Sequence, residues 1–189
     1  SLFIGPKFIP PPVPPLTGGG QIRNDVTCVS IEHKLGIHAS PTCTMQFGDA
    51  GGAVGELVGA ENDGLKYMFT MMNNARLSVG LQGVAIAERA TAAAIEYARG
   101  RVQGRDARTG ADNTPIIAHA DVRRMILTMR AYTLAARAIT YEAAVNLDRA
   151  AAGDSAAQDR VEFMTPIVKS FGTDVACSVS SLGVQVHGG

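Results

Sequence analysis

The chain has 189 residues, 17 Lys and Arg against 17 Asp and Glu, 46% apolar residues and no Trp. A neutral chain of this length buries roughly 70% of its unfolded surface, and its composition excludes disordered, collagen-like and disulfide-stapled classes. Its basic residues are scattered, which removes the electrostatic grounds for a nucleic-acid or membrane-surface partner.

Six of the nine prolines fall between Pro6 and Pro15 and are followed by Gly18-Gly19-Gly20. Proline lacks an amide donor and fixes φ, so the opening SLFIGPKFI is expected as a strand running into an irregular loop up to about residue 20. The segments around Val26, Cys28, Val29 and Ile31, and around Cys43, Met45 and Phe47, are rich in β-branched or aromatic residues and predict two further strands. From Gly64 to Arg101 the texture changes. Leu65, Met68, Met72, Ala75, Val79, Gly83, Ile86, Ala90 and Tyr97 recur at three- and four-residue spacing without proline, which predicts a helix of ~55 Å at 1.5 Å per residue. Asn62 or Asp63 suits its start, and Gly100 or Gly104 its end. The polar RVQGRDARTGADNT is expected as a loop. Thr114-Pro115 has the form of a cap followed by proline at the first helical position, opening a second helix with Ile116, Val122, Met125, Ile126, Met129, Tyr132, Ala136 and Tyr141 on its apolar face. Gly153-Asp154-Ser155 interrupts it. A third helix is predicted from about Ala156 to Val186, kinked near Pro166. Three long helices with short connections pack antiparallel, and their broad apolar faces leave room for a fourth.

Cys28, Cys43 and Cys177 have neither C-x-x-C spacing nor a histidine at ligand spacing, which argues against a disulfide framework or a zinc site and fits a reducing cytoplasm. No apolar run reaches the ~18 residues of a membrane-spanning helix, and the opening residues lack the order of a signal peptide. The chain starts without Met and stops at Gly188-Gly189, so it is expected to be an internal piece of a longer polypeptide.

Sequence motifs for chemistry are sparse: there is no G-x-G-x-x-G, P-loop, nucleophile elbow or H-E-x-x-H. His33, His38, His119 and His187 lie on separate segments and read singly as surface or capping residues. Arg76 follows Asn73-Asn74 in an otherwise apolar stretch. A guanidinium beside amides suits an anionic or amide-bearing ligand, and a solvated arginine is an equal reading. Arg101 either complements a helix C-terminus or grips a phosphate. Gly188-Gly189 either stops a helix or lets backbone approach a ligand closely.

The order of segments says more than any one of them. KLGIHASPTCTMQF, then LVGAENDGLKYMFTMMNNARLSVGLQGVAIAERATAAAIEYARGRVQGRD, then PIIAHADVRRMILTMRAYTLAARAITYEAA and finally VQVHGG resemble the flavin-dependent acyl-CoA dehydrogenases of fatty-acid metabolism over essentially the whole chain. RVQGRD and PIIAHADVRRM resemble the branch that includes 3-methylmercaptopropionyl-CoA dehydrogenase. The resemblance implies a mainly α fold with a partial β-domain at the N-terminus. Residues 1–60 would be the latter part of the family's middle β-domain, and 61–189 three long helices of its C-terminal up-down bundle. It implies an oxidoreductase with FAD as cofactor and an acyl-CoA as substrate, assembled as a homodimer or homotetramer; an electron-transfer flavoprotein is the family's usual acceptor, and oxygen takes that place in related oxidases. The cysteine usage fits a cytoplasmic protein, and the charge gives no ground for a nucleic-acid or membrane partner. Asn73, Asn74 and Arg76 match the segment that contacts the acyl-CoA. Arg101 and Gln103, with Gln185, Gly188 and Gly189, match positions that reach the FAD of a neighbouring subunit. His119 matches a position near the dinucleotide, but the glutamine usual after it is Ala120. In most of the family the catalytic base is a glutamate beyond the double glycine, and in a minority it precedes the arginine of the long helix, where this chain has Ala75. The resemblance therefore implies no catalytic base within the chain and no activity for it alone. A non-catalytic helical assembly module of the same fold is the alternative reading, and a DNA-binding relative is disfavoured by the neutral charge.

Overall fold

The computed structural model describes residues 1–10 and 22–189. The irregular loop expected up to residue 20 falls, from residue 11 on, outside them. The described residues form two compact units, Ser1–Thr70 and Met71–Gly189.

The first unit is built from three antiparallel pairs of short strands. β1 (Leu2–Ile4) pairs with β6 (Glu56–Val58), β2 (Phe8–Ile9) with β3 (Ile22–Arg23), and β4 (Val26–Ile31) with β5 (Cys43–Phe47). The strand expected over SLFIGPKFI is thus two strands that take different partners. Gly5 and Pro6 stand between them, and proline cannot donate to a ladder. A single asparagine organises this unit. Asn24 is 2% exposed, its Nδ2 donates to the carbonyls of Pro6 (2.8 Å) and Val54 (2.7 Å), and its Oδ1 accepts from the amide of Val54 (2.9 Å). Asp25 beside it accepts from Ala50 (2.6 Å) and Gly52 (3.1 Å). Asn24 Oδ1 also accepts from the Asp25 amide at 3.0 Å, so replacing Asn24 with Ala strands four backbone groups, each costing about 1–3 kcal/mol when buried without a partner. Asn24→Ala is expected to loosen this unit selectively, seen as faster amide exchange at Val54 and Asp25 with the helices unchanged.

The second unit is helical. α1 (Gly64–Gly100) enters it from the first unit, and α2 (Ala120–Ala151) and α3 (Ser155–His187) follow. Their core joins Val84, Ala87, Ala94 and Ala98 of α1 to Met125, Ile126, Met129 and Ala136 of α2 and Val175, Val179 and Val186 of α3. Small residues let the helices approach closely. Gly80 and Gly83 of α1 face Val168 and Gly172 of α3, and a Cβ on Gly172 would stand 2.8 Å from the carbonyl oxygen of Gly80. Threonines fill the remaining layers, and each returns its hydroxyl to a carbonyl one turn back, as Thr91 does to Ala87 and Thr133 to Met129, both at 2.8 Å.

The predicted helices are all present, but two details differ. α2 does not open at Thr114-Pro115. Thr114 donates its hydroxyl to Ala111 instead of capping, Ile116–Ala118 form a single 3-10 turn, and His119 stands at the start of α2. The predicted apolar faces also include exposed members: Leu65 (62%), Ile86 (52%) and Tyr141 (55%) point away from the core, whereas alanines make much of it. The third helix is capped by Asp154, inside the turn expected to interrupt the second. The Asp154 carboxylate accepts from the Ala157 amide at 3.1 Å and is gripped by Arg149 at 2.6 Å. α3 runs on through Pro166 to His187.

Candidate functional site

The residues expected to bind ligands fall into two groups. Arg76 and Asn73 share one face of α1 as an i, i+3 pair, and Arg76 Nη1 donates to Asn73 Oδ1 at 3.3 Å. Both are half-buried and Asn74 is exposed. Arg101 lies 25 residues further along the sequence, about 37 Å at helical rise. The two groups therefore lie far apart on the molecule.

The second group is drawn together at one end of the bundle. The amide of Arg101 still bonds to Tyr97 at 2.8 Å, continuing the helical pattern of α1. The ring of Tyr97 stacks on His187, the last residue of α3, with centroids 4.4 Å apart and planes tilted by 30°. His187 Nδ1 is in turn hydrogen-bonded to the carbonyl of Gly183 at 2.7 Å. This ring pair brings the end carrying Arg101 beside the end carrying Gln185, Gly188 and Gly189. Sequence reasoning placed Tyr97 on an apolar face and did not pair it with His187; a tyrosine one turn before Arg101 and a histidine just before the double glycine were the available signal.

Gly188 and Gly189 have φ of 103° and 104°, and nothing lies within 4 Å of where a Cβ would be. They terminate α3 by returning their amides to Gln185 and Val184, both at 3.0 Å. Of the two readings left by the sequence, the helix stop is what these bonds make.

The loop after α1 is tied down. Val102 and Arg105 form antiparallel bridges to Pro115 and Asp112, and the Gln103 amide donates to the Thr114 carbonyl at 3.0 Å. His119 Nε2 lies 2.7 Å from the Gln103 carbonyl, so this histidine positions the loop. At its tip the buried Asp106 accepts the Arg108 amide at 2.8 Å. That bond, with help from Thr109 and the Arg108 guanidinium, holds the Asp106 carboxyl below the usual carboxylate range, and the bonds from Ala157 and Arg149 do the same for Asp154. A depressed pKa in the folded state stabilises above the ordinary carboxylate range and is lost as pH falls through the folded value. The melting temperature is thus expected to drop more on acidification in the unmodified protein than in an Asp106→Ala/Asp154→Ala double variant, as calorimetry at neutral and acid pH can show.

Arg101, exposed, makes no ion pair or side-chain hydrogen bond among the described residues. An unpaired guanidinium and open glycine backbone are each of the chemistry that suits a pyrophosphate: the cation complements the charge and the glycine backbone admits close approach. No group of three or more potential metal ligands occurs among the described residues, where no helix is long and apolar enough to cross a membrane.

The second unit is a bundle of three long helices, and comparison with known proteins gives the family to which such a bundle belongs here. The profile of the acyl-CoA dehydrogenase C-terminal domain matches residues 62–189. The chain is 50% identical to 3-methylmercaptopropionyl-CoA dehydrogenase of Ruegeria pomeroyi over 197 aligned positions that take in 100% of it and 32% of that protein. It is 34% identical to a butyryl-CoA dehydrogenase of Syntrophomonas wolfei, over 88% of the chain and 29% of the relative. Among solved structures, butyryl-CoA dehydrogenase from Megasphaera elsdenii superposes with a TM-score of 0.66 at 28% identity, over 87% of this chain and 39% of the other. The chain belongs to the acyl-CoA dehydrogenase family. It spans about a third of the length of the curated relatives it matches.

Proposed function

We propose that the protein containing this chain is an FAD-dependent acyl-CoA dehydrogenase, with residues 1–60 belonging to its middle β-domain and 61–189 to its C-terminal bundle. The observation that carries the reading is the cradle of Arg101, Gly188 and Gly189, set by the Tyr97–His187 stack in a chain whose relatives' names specify acyl-CoA dehydrogenation. Arg101, Gln103, Gln185 and the two glycines would hold the diphosphate and adenine end of FAD. FAD, when bound, accepts the hydride leaving the β-carbon of the thioester.

The separation between this cradle and the Asn73–Arg76 face supports two sites serving different active centres, as in a homodimer or homotetramer whose subunits share flavins. Arg76, oriented by Asn73, would bind the acyl-CoA through a charge-assisted hydrogen bond, and Asn74 would add an amide. Removal of the α-proton requires a carboxylate or similar base. Ala75, which precedes Arg76, has only a methyl group, so the base comes from outside residues 1–189 and the chain is inactive alone. A cytoplasmic location and an electron-transfer flavoprotein as acceptor belong to the same reading.

The test is turnover of an artificial electron acceptor by the purified protein. Turnover that requires both FAD and a saturated acyl-CoA, with the free acid inert, is expected, and acyl-CoA-independent turnover or none contradicts the reading. Arg76→Ala is expected to raise the acyl-CoA KM about tenfold, the effect of losing roughly 1.4 kcal/mol of a charge-assisted bond.

A further inference from the structure

Two of the three cysteines share one hairpin. β4 and β5 run antiparallel with Cys28 opposite Met45 and Ile31 opposite Cys43. Between these pairs the register slips by one residue, since Ser30 stands opposite Thr44 and Val29 has no partner of its own. The slip decides which way Cys28 faces. In an unbroken continuation of the pairing at Ile31 and Ser30, Cys28 would stand opposite Gln46, on the other side of the ladder from Cys43. The bulge at Val29 sets it opposite Met45 instead, and Met45 and Cys43, two residues apart on one strand, share a face. Cys28 and Cys43 are therefore diagonal neighbours on that face.

Their thiols meet. The Cys43 thiol is hydrogen-bonded to Cys28, and that bond chiefly holds its pKa above the usual thiol value, against the pull of the Lys34 ammonium. The Cys28 thiol also donates to the Ser30 carbonyl at 3.4 Å, across the bulge. All three cysteines are free thiols. A disulfide wants Cα atoms about 4.4–6.8 Å apart, and diagonal neighbours of a regular ladder stand wider, at about 7–8 Å. The bulge answers this difference. It adds twist and leaves Val29 unpaired, so the strands give most easily at the point that lies between the two cysteines.

The geometry points to Cys28 and Cys43 as a reversible dithiol–disulfide pair that closes on reaction with a low-molecular-weight disulfide and staples the hairpin between them. The contact lies within one hairpin of this chain and requires no group from outside it. The thiolate of one cysteine attacks a sulfur of the small disulfide and releases one small thiol; the second cysteine then attacks the protein sulfur of the mixed disulfide and releases the other. The pair gives up two electrons and two protons, which leave on the two small thiols. A reducing thiol pool runs the same exchange backwards, so in a reducing compartment the pair rests as the dithiol.

The test incubates the purified protein containing this chain with oxidised glutathione, blocks the remaining thiols with iodoacetamide and maps the tryptic peptides by mass spectrometry. Trypsin cuts after Arg23, Lys34 and Lys66, so the two cysteines fall on separate peptides, 24–34 and 35–66. They are expected to leave as one linked species, two hydrogens lighter than the two peptides together, which dithiothreitol separates, while Cys177 carries glutathione or the iodoacetamide label. In Cys28→Ser the link is lost and Cys43 should carry glutathione instead. Linking should also slow exchange of the Glu32 amide, which bonds to the Thr42 carbonyl at 2.8 Å beside the pair, by about tenfold. Cys28 and Cys43 both carrying glutathione, both still free under a large excess of oxidised glutathione, or either linked to a third cysteine would overturn the proposal, as would a link that leaves the Glu32 exchange unchanged.

Discussion

Gly83→Leu is expected to abolish the cooperative folding of the helical unit. A Cβ at Gly83 would collide with the carbonyl oxygen of Gly172 and stand 2.5 Å from its carbonyl carbon, so the obstacle is backbone that no rotamer change relieves. α1 and α3 would have to separate at this crossing, and the layer beyond it, Val84 and Ala87 against Val175 and Val179, would open with them. Overpacking a well-filled core costs about 1–3 kcal/mol when side chains can adjust. Here the contact is between backbones, and the cost exceeds about 3 kcal/mol, a large part of a typical domain's stability. Gly100→Ala is the matched control. Nothing lies within 4 Å of its Cβ position, and alanine in place of glycine in a helix is worth up to about 1 kcal/mol, less at this final position. Calorimetry of the two variants should show the helical transition lost in Gly83→Leu and unchanged or slightly raised in Gly100→Ala; a normal transition in Gly83→Leu would refute the close crossing.

The second large effect is expected at Arg101. If the cradle at the end of the bundle holds a diphosphate, removing its cation costs roughly 1.5–3 kcal/mol, or about ten- to hundredfold in affinity. Arg101→Ala protein should therefore purify with little flavin and recover its visible absorbance only at high added FAD. Arg101→Lys should be intermediate, because an ammonium keeps the charge and loses the planar fork. Arg124→Ala serves as the control: Arg124 is an exposed arginine on α2 that is already paired with Asp121 at 2.7 Å, and its loss should leave flavin content unchanged. Full flavin occupancy in Arg101→Ala would remove this arginine from the cofactor site.

The helices were legible in the sequence because long, proline-free stretches with three- and four-residue periodicity have few other folds open to them. Their buried faces were harder to read. α1 and α2 carry apolar residues on more than one side, so large side chains such as Ile86 and Tyr141 drew the predicted stripe outward, while Ala87, Ala94 and Ala98, weakly hydrophobic one by one, are fully buried. The two-residue β3 and the three-residue β6 were not foreseen, since segments so short hold by pairing with distant partners and by Asn24, and carry no period of their own. At the candidate site, Arg101 and the double glycine drew notice through their chemistry, and their roles came from family resemblance. Their juxtaposition depends on the Tyr97–His187 stack, a contact between residues 90 positions apart that no local pattern encodes.

The most direct test of dehydrogenation is an anaerobic single turnover of the purified, flavin-loaded protein with a saturated acyl-CoA, followed by mass spectrometry of the thioester. The account predicts that the flavin's visible absorbance bleaches in proportion to enzyme and that the thioester leaves lighter by two hydrogens, as its α,β-unsaturated form. An unbleached flavin with the thioester recovered unchanged, across short, long and sulfur-containing acyl chains, would contradict it.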